Sequence, residues 1–132
     1  MGLTLMEGNE AVAHRSMAAG CRFFAGYPIT PATTILNAML TMLPPAGGIC
    51  LQGEDEIASI GYCLGASMAG MKVMTATSGP GFILYADPYG WAIGCEIPIV
   101  VLNSQRVGPV SPRSSGTDGE SDMLSSRALR RC

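Results

Sequence analysis

No Cys-x-x-Cys pair occurs in this chain, although it carries five cysteines. Cys21, Cys50, Cys63, Cys95 and Cys132 stand far apart and are odd in number. Neither a zinc site nor a self-contained iron–sulfur site is legible, and buried reduced thiols are the plain reading. Charge is equally scarce. Asp, Glu, Lys and Arg make up 14% of the residues with a net charge of -2, against about a quarter in an ordinary soluble domain. The basic residues are scattered until the last twenty positions, which leaves no nucleic-acid footprint. Long hydrophobic runs are missing too. The uncharged stretch Ile57 to Met71 has 15 residues and is full of Gly, Ala and Ser, whereas a membrane span needs roughly 20 mostly apolar ones. Glu7 and Glu10 come too early for a signal peptide. The chain therefore reads as cytoplasmic and not membrane-bound. Its 48% of apolar residues then point to a large surface buried against a partner.

What is present is helix–strand alternation. The 132 residues support one domain with one core. Asn9 to Ala19 reads as a helix ended by Gly20, and Arg22 to Ala25 as a short strand. Thr30-Pro31 is expected to open a second helix, with Thr30 as N-cap and Pro31 at the first position, running to Leu43 before Pro44-Pro45. Ile49 to Gln52 is a second strand, and Glu54 to Ala69 a helix with acids in its first turn. Lys72 to Thr77 is a third strand. A helix follows Ser78-Gly79-Pro80-Gly81, and Pro88 should kink or interrupt it. Ile97 to Leu102 is the clearest buried strand, being β-branched, apolar and short. Four strands and four helices with short connections predict an α/β fold, a three-layer parallel sheet flanked by helices. In the third helix, Gly61 and Gly65, and Ala66 and Gly70, are spaced so that small residues line one face. Another backbone can approach closely there, whether of the sheet or of a partner. Residues 110–132 are rich in Ser and Arg, lack aromatics, and read as an atypical, disordered tail; the domain is expected to occupy 1–109.

Ligands gather at the carboxyl ends of strands in open parallel sheets. Four polar motifs each follow a predicted strand: Tyr27-Pro28-Ile29-Thr30-Pro31, Gly53-Glu54-Asp55-Glu56, Ser78-Gly79-Pro80-Gly81 and Ser104-Gln105-Arg106. They should share one rim. Each also has a plain reading. The first can be a rigid turn, the acids ordinary residues at a helix start, the glycines a simple loop, and Arg106 a surface charge. His14, the one histidine, falls on an amphipathic helix and is expected to face solvent.

Taken in order, YPITP, EDEIASIG, TATSGPGF, EIPIVV and QR-x-GP resemble the alpha subunit of 2-oxoacid:ferredoxin oxidoreductases. The resemblance covers about Gly8 to Pro109 and looks like the 2-oxoglutarate type rather than the long single-chain pyruvate enzymes. It implies the pyrimidine-binding domain of a thiamine diphosphate enzyme. Such an enzyme decarboxylates a 2-oxo acid to acyl-CoA and CO2 and passes electrons to ferredoxin. The family glutamate at ring N1′ of the cofactor falls on Glu56, immediately before the Ile/Ala/Gly-rich helix, and not on Glu54. A carboxyl sharing a proton with N1′ favours the tautomer that activates the cofactor. By the same resemblance Thr30 contacts substrate or cofactor, and Arg106 forks onto the carboxylate of the 2-oxo acid. Tyr27, Pro28, Ile29, Thr77, Ser78, Gly79 and Pro80 line the cofactor pocket.

The resemblance also implies what must come from elsewhere. The family's GDG motif for diphosphate and Mg2+ has no counterpart beyond Thr117-Asp118-Gly119, which lacks the context. Mg2+ and an iron–sulfur cluster are therefore expected from a beta subunit, with ferredoxin and coenzyme A as further partners. The chain departs from the family after QRVGP. Val110-Ser111-Pro112-Arg113 stands where Ser-Thr-Gly is usual, which reads as a frameshifted or truncated frame with a sheet incomplete at its C-terminus. Ala86-Asp87-Pro88-Tyr89 replaces a more helical text. The rival readings are a transketolase-like or decarboxylase pyrimidine domain, a non-catalytic nucleotide or interaction module using SGPG, and an inactive fragment.

Overall fold

The computed structural model describes residues Leu5 to Arg106; the expected tail at 110–132, Thr117-Asp118-Gly119 and the change of text at Val110 lie outside the described residues. Four parallel strands form one sheet in the order β2-β1-β3-β4. These are β1 (Phe23–Gly26), β2 (Ile49–Gln52), β3 (Val73–Thr77) and β4 (Val100–Asn103). The helices are α1 (Gly8–Ala18), α2 (Thr33–Met42), α3 (Glu56–Met68), α4 (Pro80–Leu84) and α5 (Ala86–Gly94), with a short 3-10 turn at Pro44–Ala46. Register pairs Phe23 with Ile49 on one side and Val73 on the other, and Met74 with Val100.

Alternation along the two inner strands builds the three layers. Phe24, Met74 and Ala76 turn to one face and pack with Ala13 of α1 and Ile35, Leu36 and Met39 of α2. Phe23, Ala25 and Val73 turn to the other and meet Cys63 of α3. Ile60, Leu64, Tyr85 and Ala92 join α3 to the segment carrying α4 and α5. Phe24, Ile35 and Met39 are wholly buried, which stabilises the fold by about 2–3 kcal/mol per side chain.

Several expectations need correction. The strand expected at Ile97 to Leu102 forms only over Val100–Asn103, and this β4 lies at the outer edge of the described sheet, with Val100 59% exposed. Apolar, β-branched text marks a strand without saying where it sits in the strand order; the fully buried strands are β1 and β3. Five α-helices occur among the described residues rather than four, because the chain breaks at Tyr85. This is the interruption expected of Pro88, which falls in the first turn of α5 and has no N–H to offer the Leu84 carbonyl four residues back. The second helix begins at Thr33 after Ala32, not after Thr30. The Thr30–Pro31 peptide is cis, and the carbonyls of both residues are held by distant side chains, so this stretch is a turn ahead of the helix. Gly61 and Gly65 do not bring α3 onto the sheet. A Cβ at either would meet nothing within 4 Å, so this face points away from the strands. No helix among the described residues is long and apolar enough to cross a membrane.

Candidate functional site

Because all the strands run the same way, the four polar segments leave the sheet along one edge. Backbone bonds stitch them together there: Gly53 N donates to Gly26 O at 3.0 Å, and Ser104 N to Thr77 O at 2.9 Å.

Three consecutive acids after β2 have three different fates. Glu54 is exposed. Asp55 caps α3, its carboxylate accepting from Ala58 N at 2.7 Å, and the Asp55 carbonyl accepts from Ser59 Oγ at 2.8 Å. Glu56, the first helical residue, is only 8% exposed. Gly53 makes this turn possible, since a Cβ there would collide with Ser59 Oγ and come within 3.0 Å of the Asp55 carbonyl.

The connection after β3 closes over Glu56. Gly79 has φ 54° and ψ −127°, a backbone state that favours glycine. Pro80 opens α4 and Gly81 follows. A Cβ on Gly81 would lie 2.8 Å from both Cγ and Oε1 of Glu56 and closer still to Thr77 Oγ1. The carboxyl at 56 is therefore pressed between α4 and the end of β3. It makes no hydrogen bond or ion pair within the described residues. Thr77 Oγ1 and Ser78 Oγ are buried there without a hydrogen-bond partner. Such orphaned groups are costly unless something completes them.

Behind them lies a hydroxyl chain. Thr75 Oγ1 donates to the Ala25 carbonyl at 2.7 Å and stands 2.8 Å from Tyr85 Oη. Thr75 has one proton, already given to Ala25, so Tyr85 is the donor to Thr75. Burial pushes the Tyr85 phenol well above its ordinary range, a rise that the Thr75 hydrogen bond opposes and that Cys63 and Glu56 reinforce. The Thr77 hydroxyl also lies near this phenol but forms no hydrogen bond of good geometry with it.

Arg106 completes the rim from β4. Its Nη1 donates to the Thr30 carbonyl at 3.1 Å, and its guanidinium packs over Gly79, where a Cβ would come within 2.5 Å of Nε. The turns after β1, β3 and β4 thus meet at one arginine. Tyr27, Pro28 and Ile29 are half-buried along the first of these turns, while Thr30 is exposed and meets Arg106 through its backbone. His14 is exposed on α1. Two contributors escaped the sequence reading. One is Asn9, whose amide reaches Pro31 and Thr34; the other is the Thr75–Tyr85 pair. Neither residue type in its local text signals a tertiary partner. An open apolar groove of about 820 Å³, lined by residues such as Val12, Met71, Ile99 and Leu102, includes none of Glu56, Thr77, Ser78 or Arg106.

These residues fit the aminopyrimidine of thiamine diphosphate. A planar ring with donors and acceptors on its edge needs a carboxyl at one nitrogen and hydroxyls or backbone groups beside it. Glu56, Thr77 and Ser78 offer those atoms without prior partners, and the glycines at 79 and 81 leave no side chains in the way.

Comparison with known proteins gives the same direction. The profile of the family described as pyruvate flavodoxin/ferredoxin oxidoreductase, thiamine diphosphate-binding, matches residues 14–132. The 2-oxoglutarate synthase subunit KorA of Archaeoglobus fulgidus is 52% identical over 109 residues, covering 83% of this chain and 32% of its own length. The KorA subunit of Methanocaldococcus jannaschii is 48% identical over 132 residues, covering 100% of this chain and 34% of its own. Among solved structures, the 2-oxoglutarate:ferredoxin oxidoreductase from Magnetococcus marinus, with 2-oxoglutarate, coenzyme A and succinyl-CoA bound, superposes with a TM-score of 0.79 at 50% identity. That match covers 81% of this chain and 19% of the other. The chain spans about a third of the length of these curated relatives. With motifs, sheet order and family profile in agreement, the chain belongs to the thiamine diphosphate-binding family of pyruvate flavodoxin/ferredoxin oxidoreductases.

Proposed function

We propose that this chain supplies the pyrimidine-binding side of a 2-oxoacid:ferredoxin oxidoreductase acting on 2-oxoglutarate or a similar 2-oxo acid. The observation that carries the proposal is the buried, partnerless carboxyl of Glu56, pressed against Gly81 and Thr77 at the carboxyl edge of the sheet. The 2-oxoglutarate-named relatives at about half identity support the substrate class.

In this reading Glu56 holds a proton at ring N1′ of thiamine diphosphate, in a niche whose low water content strengthens the interaction. Thr77, Ser78, Gly79 and Pro80 line the ring's edge, with Tyr27, Pro28, Ile29 and Thr30 on the neighbouring turn. Arg106 receives the carboxylate of the 2-oxo acid; a guanidinium already anchored by one carbonyl loses little freedom on binding. The cofactor, when bound, supplies the carbanion chemistry that decarboxylates the 2-oxo acid. The chain's own share is to bind, orient and exclude water.

The diphosphate and Mg2+ site and an iron–sulfur cluster come from a beta subunit, which also delivers electrons to ferredoxin, and coenzyme A accepts the acyl group. Exposed Ile57, Tyr62 and Met68 on α3 and Ile83, Leu84 and Trp91 on α4 and α5 form the apolar surface that such a subunit would cover. The assembly would work in the cytoplasm.

The test is reconstitution of the assembled enzyme with Glu56→Ala and Glu56→Gln. Both should lose nearly all 2-oxo-acid-dependent ferredoxin reduction while the assembly still forms. Turnover close to that of the unaltered enzyme in Glu56→Ala would remove the basis of the assignment.

A further inference from the structure

Asn9, the second residue of α1, uses its whole amide to tie two distant segments of the rim together. Its Nδ2 donates to the Pro31 carbonyl at 3.0 Å and to Thr34 Oγ1 at 2.8 Å. Its Oδ1 accepts from Ser104 Oγ at 3.4 Å, the weakest of the three contacts. Two residues beyond Ser104, Arg106 donates to the Thr30 carbonyl, next to the carbonyl that Asn9 holds. A closed ring results: Asn9 to Pro31, along the backbone to Thr30, across to Arg106, back along the chain to Ser104, and home to Asn9.

We propose that Asn9 is a positioning residue that sets where the Arg106 guanidinium meets the carboxylate of the 2-oxo acid. The inference rests on the substrate role of Arg106 proposed above. Loops are the softest parts of an α/β domain, and Arg106 leaves the sheet on one. A fork of two N–H donors recognises a carboxylate only when its plane is aimed, so a misaimed fork weakens substrate binding. Asn9 removes that freedom by clamping the carbonyl turn and the Ser104–Arg106 segment to one rigid helix. The side chain has to be an amide. Aspartate retains the acceptor for Ser104 but donates nothing to Pro31, and alanine does neither. The start of α2 survives the loss, because Thr34 Oγ1 itself donates to the Pro31 carbonyl at 3.3 Å.

The experiment uses the assembled enzyme with 2-oxoglutarate as the varied substrate. Arg106→Ala should raise KM for 2-oxoglutarate. Asn9→Ala and Asn9→Asp should raise it on the order of tenfold, the scale of one lost hydrogen bond to a constrained group. In both Asn9 variants kcat and KM for coenzyme A should stay within about twofold. Ser104→Ala, a milder change, should move KM in the same direction by less. Asn9→Ala added to Arg106→Ala should have no further effect, because residues acting through one another are not additive. If Asn9→Ala does not assemble, Ser104→Ala alone and combined with Arg106→Ala answer the same question. Two results overturn the inference: a raised KM in Arg106→Ala with none in the Asn9 or Ser104 variants, or a full additive loss in the double variant. An unchanged KM in Arg106→Ala instead condemns the substrate role of Arg106 itself.

Discussion

Gly81 stands so close to Glu56 that a single methyl at position 81 would lie 2.8 Å from an oxygen of that carboxyl. Real Cβ atoms do not approach that closely, so one of the two must move. Gly81→Ala is therefore expected to displace the Glu56 side chain, at an overpacking cost of about 1–3 kcal/mol. Turnover of the assembled enzyme should fall by about a hundredfold, the usual consequence of moving a reacting group by about 1 Å. Measured kcat and affinity for thiamine diphosphate should both decline. A variant with kcat within twofold of the parent enzyme shows that the glutamate does not work from this niche.

Asp55 contributes to the same carboxyl from the other side, as the cap of α3. An N-cap side chain satisfies an amide that the helix cannot, and its loss costs about 1 kcal/mol. Asp55→Ala should lower the thermal midpoint and loosen the first turn, which carries Glu56, while Asp55→Asn, which keeps the acceptor, should stay near the parent. Equal midpoints for the Ala and Asn variants in thermal unfolding would contradict the capping role.

The rim was legible in the sequence because it depends on connections, not on packing. Each strand is short, each is followed within two residues by Pro, Gly or Ser, and parallel strands must deliver those segments to one edge. The choice of Glu56 over Glu54 came from family likeness; the structure adds that Glu54 is exposed and Glu56 buried. Strand order was not legible. IPIVVL is more apolar than the FFAG of β1, yet β1 is an inner strand and β4 is at the edge of the described sheet. Nor could the start of α2 be read from Thr30-Pro31. Those residues look like a cap, but their carbonyls are occupied by Asn9 and Arg106, at separations of 22 and 76 positions. Local text carries no trace of partners so distant.

Tyr85 offers a test of the buried hydroxyl chain. Tyr85→Phe keeps the ring and removes the donor to Thr75, leaving the Thr75 bond to Ala25 in place. The expected loss is about 1 kcal/mol, one net hydrogen bond. Tyr85→Ala also empties the space between α3 and α5 and should cost about 3–5 kcal/mol. Denaturant midpoints separate the two. A Phe variant as damaged as the Ala variant would mean that the phenol has a further partner beyond Thr75.

Alkaline pH should destabilise the fold through its buried thiols. Burial pushes the Cys63 thiol up to about 12, from an ordinary value of 9.0. Its Sγ lies under α3, 3.5 Å from the Met74 carbonyl. The folded chain thus holds a proton that the unfolded chain releases at a lower pH. The stabilisation is complete below about pH 8.5, shrinks as pH rises past the unfolded value, and is lost as pH approaches 12. Across that window the difference is one proton per chain, or about 1.4 kcal/mol per pH unit. Cys50, also raised to about 12 by burial, acts in the same sense but is partly exposed, so solvent screens its share. Cys63→Ala should lower stability at neutral pH, through the cavity it leaves, yet make the alkaline decline shallower. If its midpoint instead falls between pH 9 and 11 as steeply as that of the parent, the thiol is ionising within the folded chain, which is incompatible with its burial between α3 and the central strands.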